Sequence, residues 1–438
     1  MKRIAIIGTG YVGLVTGAGL SDFGNKVICT DVDREKIDKL KQGQVSSFEP
    51  GLHDLVFRNV DARRLSFTAD VGKSVQESEV VFIAVGTPMA DNGEADLSAV
   101  KEAARTIGQN LNDYKVVCTK STVPIGTGEK IRSIVRENCP QDNGFDIVSN
   151  PEFLREGSAV KDFLIPNRVV IGSDSERALK IMRNIYRPLF INETPILITD
   201  IVTAETIKYA ANAFLATKIS FINEIANLCD ATGADVHMVA RGMGLDGRIS
   251  PKYLHPGPGF GGSCFPKDTQ ALVHQAENLG VELNVVKAVI EANEAQRKKV
   301  MEKLDQLIGK DLKDKTVTVL GLAFKSNTDD VRLSPAIPVI EDLLARGAEV
   351  KAFDPEAMNN MRVLFPTVTY CDSLNLAISE ADAVIVMTDW HEFRGMNLEE
   401  VARRVKHKVL VDARNILNPR ELKRLEFKFQ NIGRPNVR

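Results

Sequence analysis

The chain has 438 residues, which at about 150 per domain suggests two or three domains with room for several cores. Lys plus Arg number 56 against 58 Asp plus Glu, a balance of −2 that argues against nucleic-acid binding through bulk positive charge and against a polybasic membrane anchor. Apolar residues at 44% and charged residues at 26% argue against disorder, and no apolar run nears the roughly 20 residues that span a bilayer.

Met1-Lys2-Arg3 ahead of Ile4–Ile7 superficially resembles a secretory signal. The run is too short, and Gly8, Gly10 and Gly13 break it at once, so Arg3–Ile7 reads as a strand. A helix over Tyr11–Phe23, a strand over Lys26–Thr30 ending at Asp31, and an amphipathic helix over Arg34–Gln42 follow. Further strands are predicted at Leu65–Thr68, Val80–Val85, Lys115–Thr119, Asp146–Ser149 and Arg168–Ile171. Strands alternating with helices, several apolar on both faces, imply a parallel sheet covered by helices.

From Thr203 to Thr232 the pattern is helical, with Ile207, Ala211, Phe214, Ile219, Ile222, Ile225 and Leu228 recurring mostly three to four apart. This stripe fits a homodimer surface and packing within the chain equally well. Helices at Asp235–Arg241, Thr269–Leu279 and Asn284–Leu307 come next. At Lys315 the strand–helix rhythm restarts, with Thr316–Leu320 ending in Gly321, Glu349–Phe353 in Asp354, Ala383–Met387 in Thr388 and Val409–Val411 in Asp412. The expected fold is therefore α/β: two Rossmann-like doubly wound domains, residues 1–200 and 313–438, joined by a helical middle domain, residues 201–312, with a long linking helix.

Gly8-Thr9-Gly10-Tyr11-Val12-Gly13 fits G-x-G-x-x-G, follows a strand and opens a helix, and Asp31 closes the second strand 18 residues later. Gly8 permits the tight turn, Gly10 the approach of a pyrophosphate, and Gly13 close helix–strand packing. Asp31 suits ribose hydroxyls and repels a 2′-phosphate, favouring NAD over NADP; Lys36 could reach the same ribose or be an ordinary surface lysine. The restarted copy, Gly321-Leu322-Ala323-Phe324, lacks the later glycines and should not cradle a second dinucleotide this way.

The stretch Pro256–Asp268 is glycine-dense and leads into Cys264. Such density is expected where backbone approaches a ligand, because glycine gives a core no side chain to pack. Cations and helix N–H groups near Cys264 would favour the nucleophilic thiolate. Cys29, Cys118 and Cys229 read as inert buried thiols. The six cysteines form no CxxC pair and the six histidines no HExxH, so a reducing, cytoplasmic setting and no metal site are expected. Lys120–Pro124 and Asn150–Gly157 follow strands, where open α/β sheets bind ligands. Glu152 and Glu156 are four apart and could share a helical face or merely open a solvated helix. Lys208 and Asn212, also four apart, interrupt the linking helix's apolar pattern.

Together these motifs resemble the UDP-glucose 6-dehydrogenases of the UDP-glucose/GDP-mannose dehydrogenase family over nearly the whole chain. The resemblance rests on the glycine fingerprint, Val85–Pro88, Lys120–Pro124, Asn150–Gly157, Lys208 with Asn212, Gly259–Asp268 and Gly321–Arg332. It implies oxidation of UDP-glucose to UDP-glucuronate with two NAD⁺, through a thiohemiacetal and thioester on Cys264. Lys208 and Asn212 would stabilise the oxyanion, Asp268 with a water would be the base, Glu152 would activate the hydrolytic water and Thr122 would position it. NAD is implied at Gly8, Gly10, Tyr11, Val12, Gly13, Asp31, Lys36, Thr87, Thr122, Glu156, Lys267 and Arg332. The UDP-sugar is implied at Glu152, Phe153, Leu154, Arg155, Glu156, Lys208, Asn212, Tyr253, Leu254, His255, Pro256, Gly257, Gly261 and Lys325, with Arg414 a weaker candidate. Lys325 and Arg332 would bring the C-terminal, UDP-sugar-binding domain into a shared cleft.

Gly259 before Phe260 and Phe265 after Cys264 lean away from GDP-mannose, whose dehydrogenases typically carry Ala and Leu there. A dehydrogenase for another nucleotide sugar, GDP-mannose or a UDP-N-acetylhexosamine, is the alternative. A regulator that binds NAD without turnover would need neither the thiol nor the Lys208–Asn212 pair.

Overall fold

The computed structural model describes residues 1–45, 48–90, 93–139 and 144–435. The chain divides into two compact units, Met1–Ala211 with His274–Leu279, and Asn212–Val273 with Gly280–Arg438. Eight strands build the sheet of the first unit: β1 (Arg3–Ile7), β2 (Lys26–Thr30), β3 (Leu65–Thr68), β4 (Val80–Ile83), β5 (Lys115–Thr119), β6 (Phe145–Ser149), β7 (Val169–Gly172) and β8 (Ile196–Thr199). Their spatial order is β3-β2-β1-β4-β5-β6-β7-β8. The first six follow the 3-2-1-4-5-6 order of a doubly wound sheet, whose reversal beside β1 opens a crevice at the strands' carboxyl ends. There β1 and β4 pair in parallel, Ile4 opposite Val80.

Because successive strand side chains point to opposite faces, Ile4, Ile6 and Phe82 enter one core with Leu14 and Leu20 of helix α1 (Tyr11–Asp22). Ala5, Ile7, Val81 and Ile83 enter a second with Ile107 and Ile131. Both faces are covered, which is why these strands read as unbroken apolar runs.

The second unit repeats the plan. Strands β9 (Thr316–Leu320), β10 (Glu349–Phe353), β11 (Thr369–Tyr370), β12 (Ala383–Val386), β13 (Val409–Asp412) and β14 (Lys428–Asn431) lie in the order β11-β10-β9-β12-β13-β14, all parallel. This is again 3-2-1-4-5-6. Gly321, at φ +96°, meets Thr388 so closely that any side chain there would collide with it. Among the described residues no helix is long and apolar enough to cross a membrane.

Several expectations are corrected. The first sheet is mixed, because β6 and β7 pair antiparallel through Ser149 and Gly172. Strands β8, β11 and β14 were not predicted: they are four, two and four residues long at or near sheet edges, where one neighbour suffices and a partly polar run such as Lys428-Phe429-Gln430-Asn431 can pair. β4 ends at Ile83, two residues before the end of its apolar run.

The linking helix, α3, spans Ile201–Thr232. The helix that follows the glycine-dense loop starts at Phe265, four residues before the predicted Thr269, because Pro266 is tolerated in a first turn where its missing N–H has no partner to lose. On α3, Phe214 and Leu228 of the predicted stripe are exposed, while polar Lys208, Asn212 and Asn223 are buried.

Glu205 of α3 is 3% exposed and accepts hydrogen bonds from the N–H groups of Gly126 at 2.6 Å and Gly128 at 2.8 Å, closing the start of helix α2 (Thr127–Glu137). Burial pushes its carboxyl up from 4.5 to about 7, against the pull of those two bonds. A raised carboxyl pKa makes the folded protein hold the proton longer than the unfolded one. Its contribution is thus present below 4.5 and is lost as pH rises through about 7. Glu205→Gln should flatten this dependence: the melting temperature of the natural chain, relative to the variant, falls across that window in a pH series of thermal denaturation.

Candidate functional site

In the first unit the site begins where β1 turns into α1. Gly8 holds φ +100°, and a Cβ there would stand 2.6 Å from the Ala84 carbonyl oxygen. A Cβ on Gly13 would collide with the Gly8 carbonyl oxygen, whereas one on Gly10 would meet nothing within 4 Å. Gly10 also caps α1 with no side-chain bond, so the N-cap itself leaves the first-turn N–H groups unanswered. Uncapped N–H groups at a helix's positive end, under a residue without a side chain, fit a pyrophosphate.

Asp31, at the end of β2, accepts from the Thr9 N–H and hydroxyl, both at 2.8 Å, and from the Asp33 N–H at 3.2 Å. Burial pushes its carboxyl up, but these bonds and Lys36, 3.5 Å away, outweigh it and hold it below the ordinary aspartate range. Asp31 is thus an anion at neutral pH. Lys36 is paired with that anion and is not merely a solvated surface lysine. Thr87, after β4, donates its hydroxyl to the Thr122 carbonyl at 2.8 Å, tying together the loops that follow β4 and β5.

The loop after β6 holds Glu152–Glu156 in irregular backbone, so the expectation of a shared helical face is corrected. Pro151 follows Asn150 and biases it towards extended backbone. Glu152 and Lys208 form a buried ion pair, side chains 5% and 4% exposed, with Lys208 Nζ 2.8 Å from Oε1; Oε2 takes the Leu154 N–H at 2.5 Å. The Phe153 ring lies under the Arg168 guanidinium at 3.4 Å. Arg155 is exposed and grips Asp162 with two bonds of 2.9 and 2.7 Å. Glu156 is half-buried.

Two supporting groups lie outside the expected site residues, Lys120 entering the sequence reading only as the start of the Lys120–Pro124 motif. Glu49 accepts from the N–H groups of Gly157 and Ala159, both at 2.7 Å, anchoring this loop. Lys120 is buried, donates to Asn150 Oδ1 at 3.1 Å and to the Tyr186 hydroxyl at 3.4 Å, and burial pushes its ammonium down to about 8. Neither carries a spacing signal; each depends on a partner far away in sequence.

The second unit holds the thiol. Cys264 is half-buried just before α4 (Phe265–Asn278), and Ser263 Oγ is 3.6 Å from its sulfur. Asp268, 1% exposed in the first turn of α4, receives Lys267 Nζ at 2.7 Å on one oxygen and Asn212 Nδ2 at 2.6 Å on the other. A fixed carboxylate therefore lies one helical turn beyond the sulfur.

The glycines ahead of Cys264 are packed tightly against protein. Gly257, Gly259, Gly261 and Gly262 are all buried. A Cβ on Gly259 would stand 2.9 Å from Asn293 Oδ1, one on Gly262 2.8 Å from the Phe324 ring, and one on Gly261 would collide with the Leu333 carbonyl oxygen. They let backbone approach protein, with Gly259 and Gly262 at left-handed φ of +97° and +83°.

Leu254 and Pro256 are buried, His255 is exposed, and Tyr253 adopts φ +64°, a conformation costly for a non-glycine residue. Arg414 is held by the carbonyls of Met387 at 2.7 Å and Phe324 at 2.8 Å, beside Gly257. Lys325 Nζ lies 5.3 Å from the Phe324 ring. Arg332 is exposed and paired with Asp330 at 2.7 Å, while its carbonyl accepts the Gly262 N–H at 2.9 Å. Thus Gly257, Gly261, Lys325, Arg332 and Arg414 belong to one neighbourhood, and Asn212, Lys267 and Asp268 to another next to Cys264.

The chain matches the UDP-glucose/GDP-mannose dehydrogenase family three times: its NAD binding domain over residues 2–190, its central domain over 202–295 and its UDP binding domain over 318–419. It is 49% identical to the UDP-glucose 6-dehydrogenase TuaD of Bacillus subtilis (strain 168), covering 100% of this chain and 94% of that protein. It is 48% identical to the UDP-glucose 6-dehydrogenase of Rhizobium meliloti (strain 1021), covering 99% and 100%. A solved UDP-glucose dehydrogenase from the hyperthermophilic archaeon Pyrobaculum islandicum superposes with a TM-score of 0.92 at 39% identity, over 99% of this chain and 98% of that one.

Removing one member of the Glu152–Lys208 pair leaves the other buried and uncompensated, which costs about 3–5 kcal/mol, whereas removing both costs far less. Lys208→Met should therefore lower the melting temperature by several degrees, and adding Glu152→Gln should restore much of it. Additive losses in thermal denaturation would contradict the pairing.

Proposed function

The chain belongs to the UDP-glucose/GDP-mannose dehydrogenase family, and on that premise we propose that it oxidises the C6 alcohol of UDP-glucose to the carboxylate of UDP-glucuronate, with two NAD⁺ and one water per sugar. It is an oxidoreductase with an NAD-binding and a UDP-binding domain. The observation that carries the finer reading is the thiol of Cys264 one helical turn before an Asp268 carboxylate fixed by Lys267 and Asn212. A single-step alcohol oxidation needs no nucleophile; oxidation of an aldehyde does, because the aldehyde is a poor hydride donor until something adds to it.

NAD, when bound, supplies the hydride acceptor. The glycine turn and the α1 N–H groups would hold its pyrophosphate, and Asp31, Lys36, Thr87, Thr122, Glu156, Lys267 and Arg332 would complete its contacts. Asp268, through a water, takes the C6 hydroxyl proton in the first oxidation. The Cys264 thiolate then adds to the aldehyde carbon: an S–C bond forms, and the carbonyl π pair moves to oxygen. Lys208 and Asn212 stabilise that oxyanion, one by charge and one by its amide N–H. Loss of the second hydride from C6 converts the thiohemiacetal into a thioester. Water activated by Glu152 and positioned by Thr122 attacks the thioester and expels the thiolate, regenerating Cys264. The residues around Glu152–Glu156, Tyr253–Gly257, Gly261, Lys325 and Arg414 bind the nucleotide sugar.

The same reading makes the enzyme a homodimer. Phe214, Phe221 and Leu228 recur every seven residues on α3 and are 65%, 45% and 58% exposed, an apolar seam that a second copy of the helix would cover. The reading also places the enzyme in a reducing cytoplasm, where cysteines are kept as thiols.

NADH released per UDP-glucose consumed, followed by absorbance with NAD⁺ in excess, should approach two. One would mean that the reaction stops at the aldehyde, and none would redirect the reading to another nucleotide sugar. Cys264→Ala should abolish acid formation and leave NAD binding intact. Phe221→Glu should shift the sedimentation coefficient towards that of a monomer; an unchanged value would contradict the α3 seam.

A further inference from the structure

The glycine-dense loop ahead of Cys264 is gripped by amide side chains from two helices. Gly257 donates its N–H to Asn223 Oδ1 at 2.8 Å, and its carbonyl accepts Gln296 Nε2 at 2.8 Å. Three residues on, Phe260 donates its N–H to Asn293 Oδ1 at 2.8 Å, and its carbonyl accepts Asn293 Nδ2 at 3.1 Å. Asn227 Nδ2 holds Gln296 Oε1 at 3.0 Å, and Arg297 Nη2 links the Phe260 and Leu333 carbonyls at 3.3 and 2.6 Å. Asn223 and Asn227 lie on α3; Asn293, Gln296 and Arg297 lie on helix α5 (Asn284–Ile308). Asn223, Asn293 and Gln296 are 1%, 4% and 2% exposed.

Both backbone hydrogen-bonding groups of two residues, Gly257 and Phe260, are thus satisfied by side chains rather than by a sheet or helix. Four of the six residues from Gly257 to Gly262 are glycine, so the free loop loses more backbone entropy on ordering than an average segment. A neutral amide can answer an N–H with its oxygen and a C=O with its nitrogen at once, and it puts no charge on the loop that presents a thiolate.

We propose that Asn223, Asn293 and Gln296 are positioning residues that hold the Gly257–Gly262 loop, and through it the Cys264 sulfur, in the geometry needed for addition to the aldehyde. The proposal rests on the reading of Cys264 as the nucleophile. Because only the second oxidation uses the thiol, loss of the clamp slows that step more than the first, beyond any change in sugar binding that both steps share.

Three variants test it in the full-length enzyme: Asn293→Leu removes both bonds to Phe260, Asn293→Asp keeps only the acceptor, and Asn227→Leu releases Gln296 from outside the loop. Circular dichroism and thermal denaturation establish that each is folded. In folded Asn293→Leu, kcat should fall roughly ten- to hundredfold with KM for NAD⁺ within about twofold, since a small misplacement of a reacting group costs rate more than binding. NADH per sugar should drop below two as aldehyde escapes, alkylation of Cys264 by iodoacetamide should change in rate, and the Phe260 amide should exchange hydrogen faster. Asn293→Asp and Asn227→Leu should show smaller shifts in the same direction. If kcat and the NADH ratio stay at natural values while Phe260 exchange accelerates, the clamp is structural only and the proposal fails. If the natural enzyme releases fewer than two NADH per sugar, or Cys264→Ala still forms acid, the covalent reading fails instead, and the exchange data still report whether the clamp exists.

Discussion

Lys208 and Glu152, each about one-twentieth exposed, meet at 2.8 Å, and that pairing states the constraint under which the candidate site is built. A charge taken out of water is tolerated only when another group answers it. Asp268 is answered by Lys267 and Asn212, Asp31 by Thr9 and Lys36, and Glu205 by the first N–H groups of a helix. Lys120 has only the neutral oxygens of Asn150 and Tyr186, and its ammonium is correspondingly less basic. Each answer fixes a side chain in one orientation, which is the order that proton transfer and oxyanion stabilisation need.

The two doubly wound sheets show the same position put to opposite uses. At the end of β2, Asp31 takes only the Thr9 groups of the glycine turn and leaves the α1 terminus uncapped. At the equivalent end of β10, Asp354 is fully buried and accepts from the N–H groups of Leu322 and Ala323 and from the Trp390 indole at 3.1 Å. Its other oxygen takes the N–H groups of Glu356 and Ala357. The first turn therefore keeps donors for a phosphate, and the second has spent them internally. The second copy keeps only Gly321, which abuts Thr388, and carries Leu322, Ala323 and Phe324 after it.

Glycine also answers two different demands in this chain. A run of glycines before a cysteine suggests backbone making way for a ligand, and in α1 that is what Gly10 offers. In the Gly257–Gly262 loop the same residue type makes way for Asn293, Phe324 and the Leu333 carbonyl. Sequence cannot separate the two cases, because both require only that a Cβ be absent; what fills the space comes from elsewhere in the chain. The expected helical face for Glu152 and Glu156 failed for a related reason: Pro151 and the Glu49 anchor hold an irregular loop where spacing alone permits a helix.

What the chain's order of residues determined by itself is whatever short-range chemistry dictates. The apolar runs set the strands, the glycine turn and Asp31 set the dinucleotide fingerprint, and the absence of Pro and Gly from Thr203 to Thr232 sets the linking helix. The repeat of strand–Gly and strand–Asp made the second doubly wound sheet legible before any coordinate. Tertiary structure alone decided the antiparallel β7, the short edge strands, and the buried face of α3 with Lys208, Asn212 and Asn223 on it. It alone decided that Glu49, Lys120, Asn293 and Gln296 matter. Each of these acts through a partner at least 30 positions away, and a hydrogen bond or ion pair across that distance leaves no period or spacing to read.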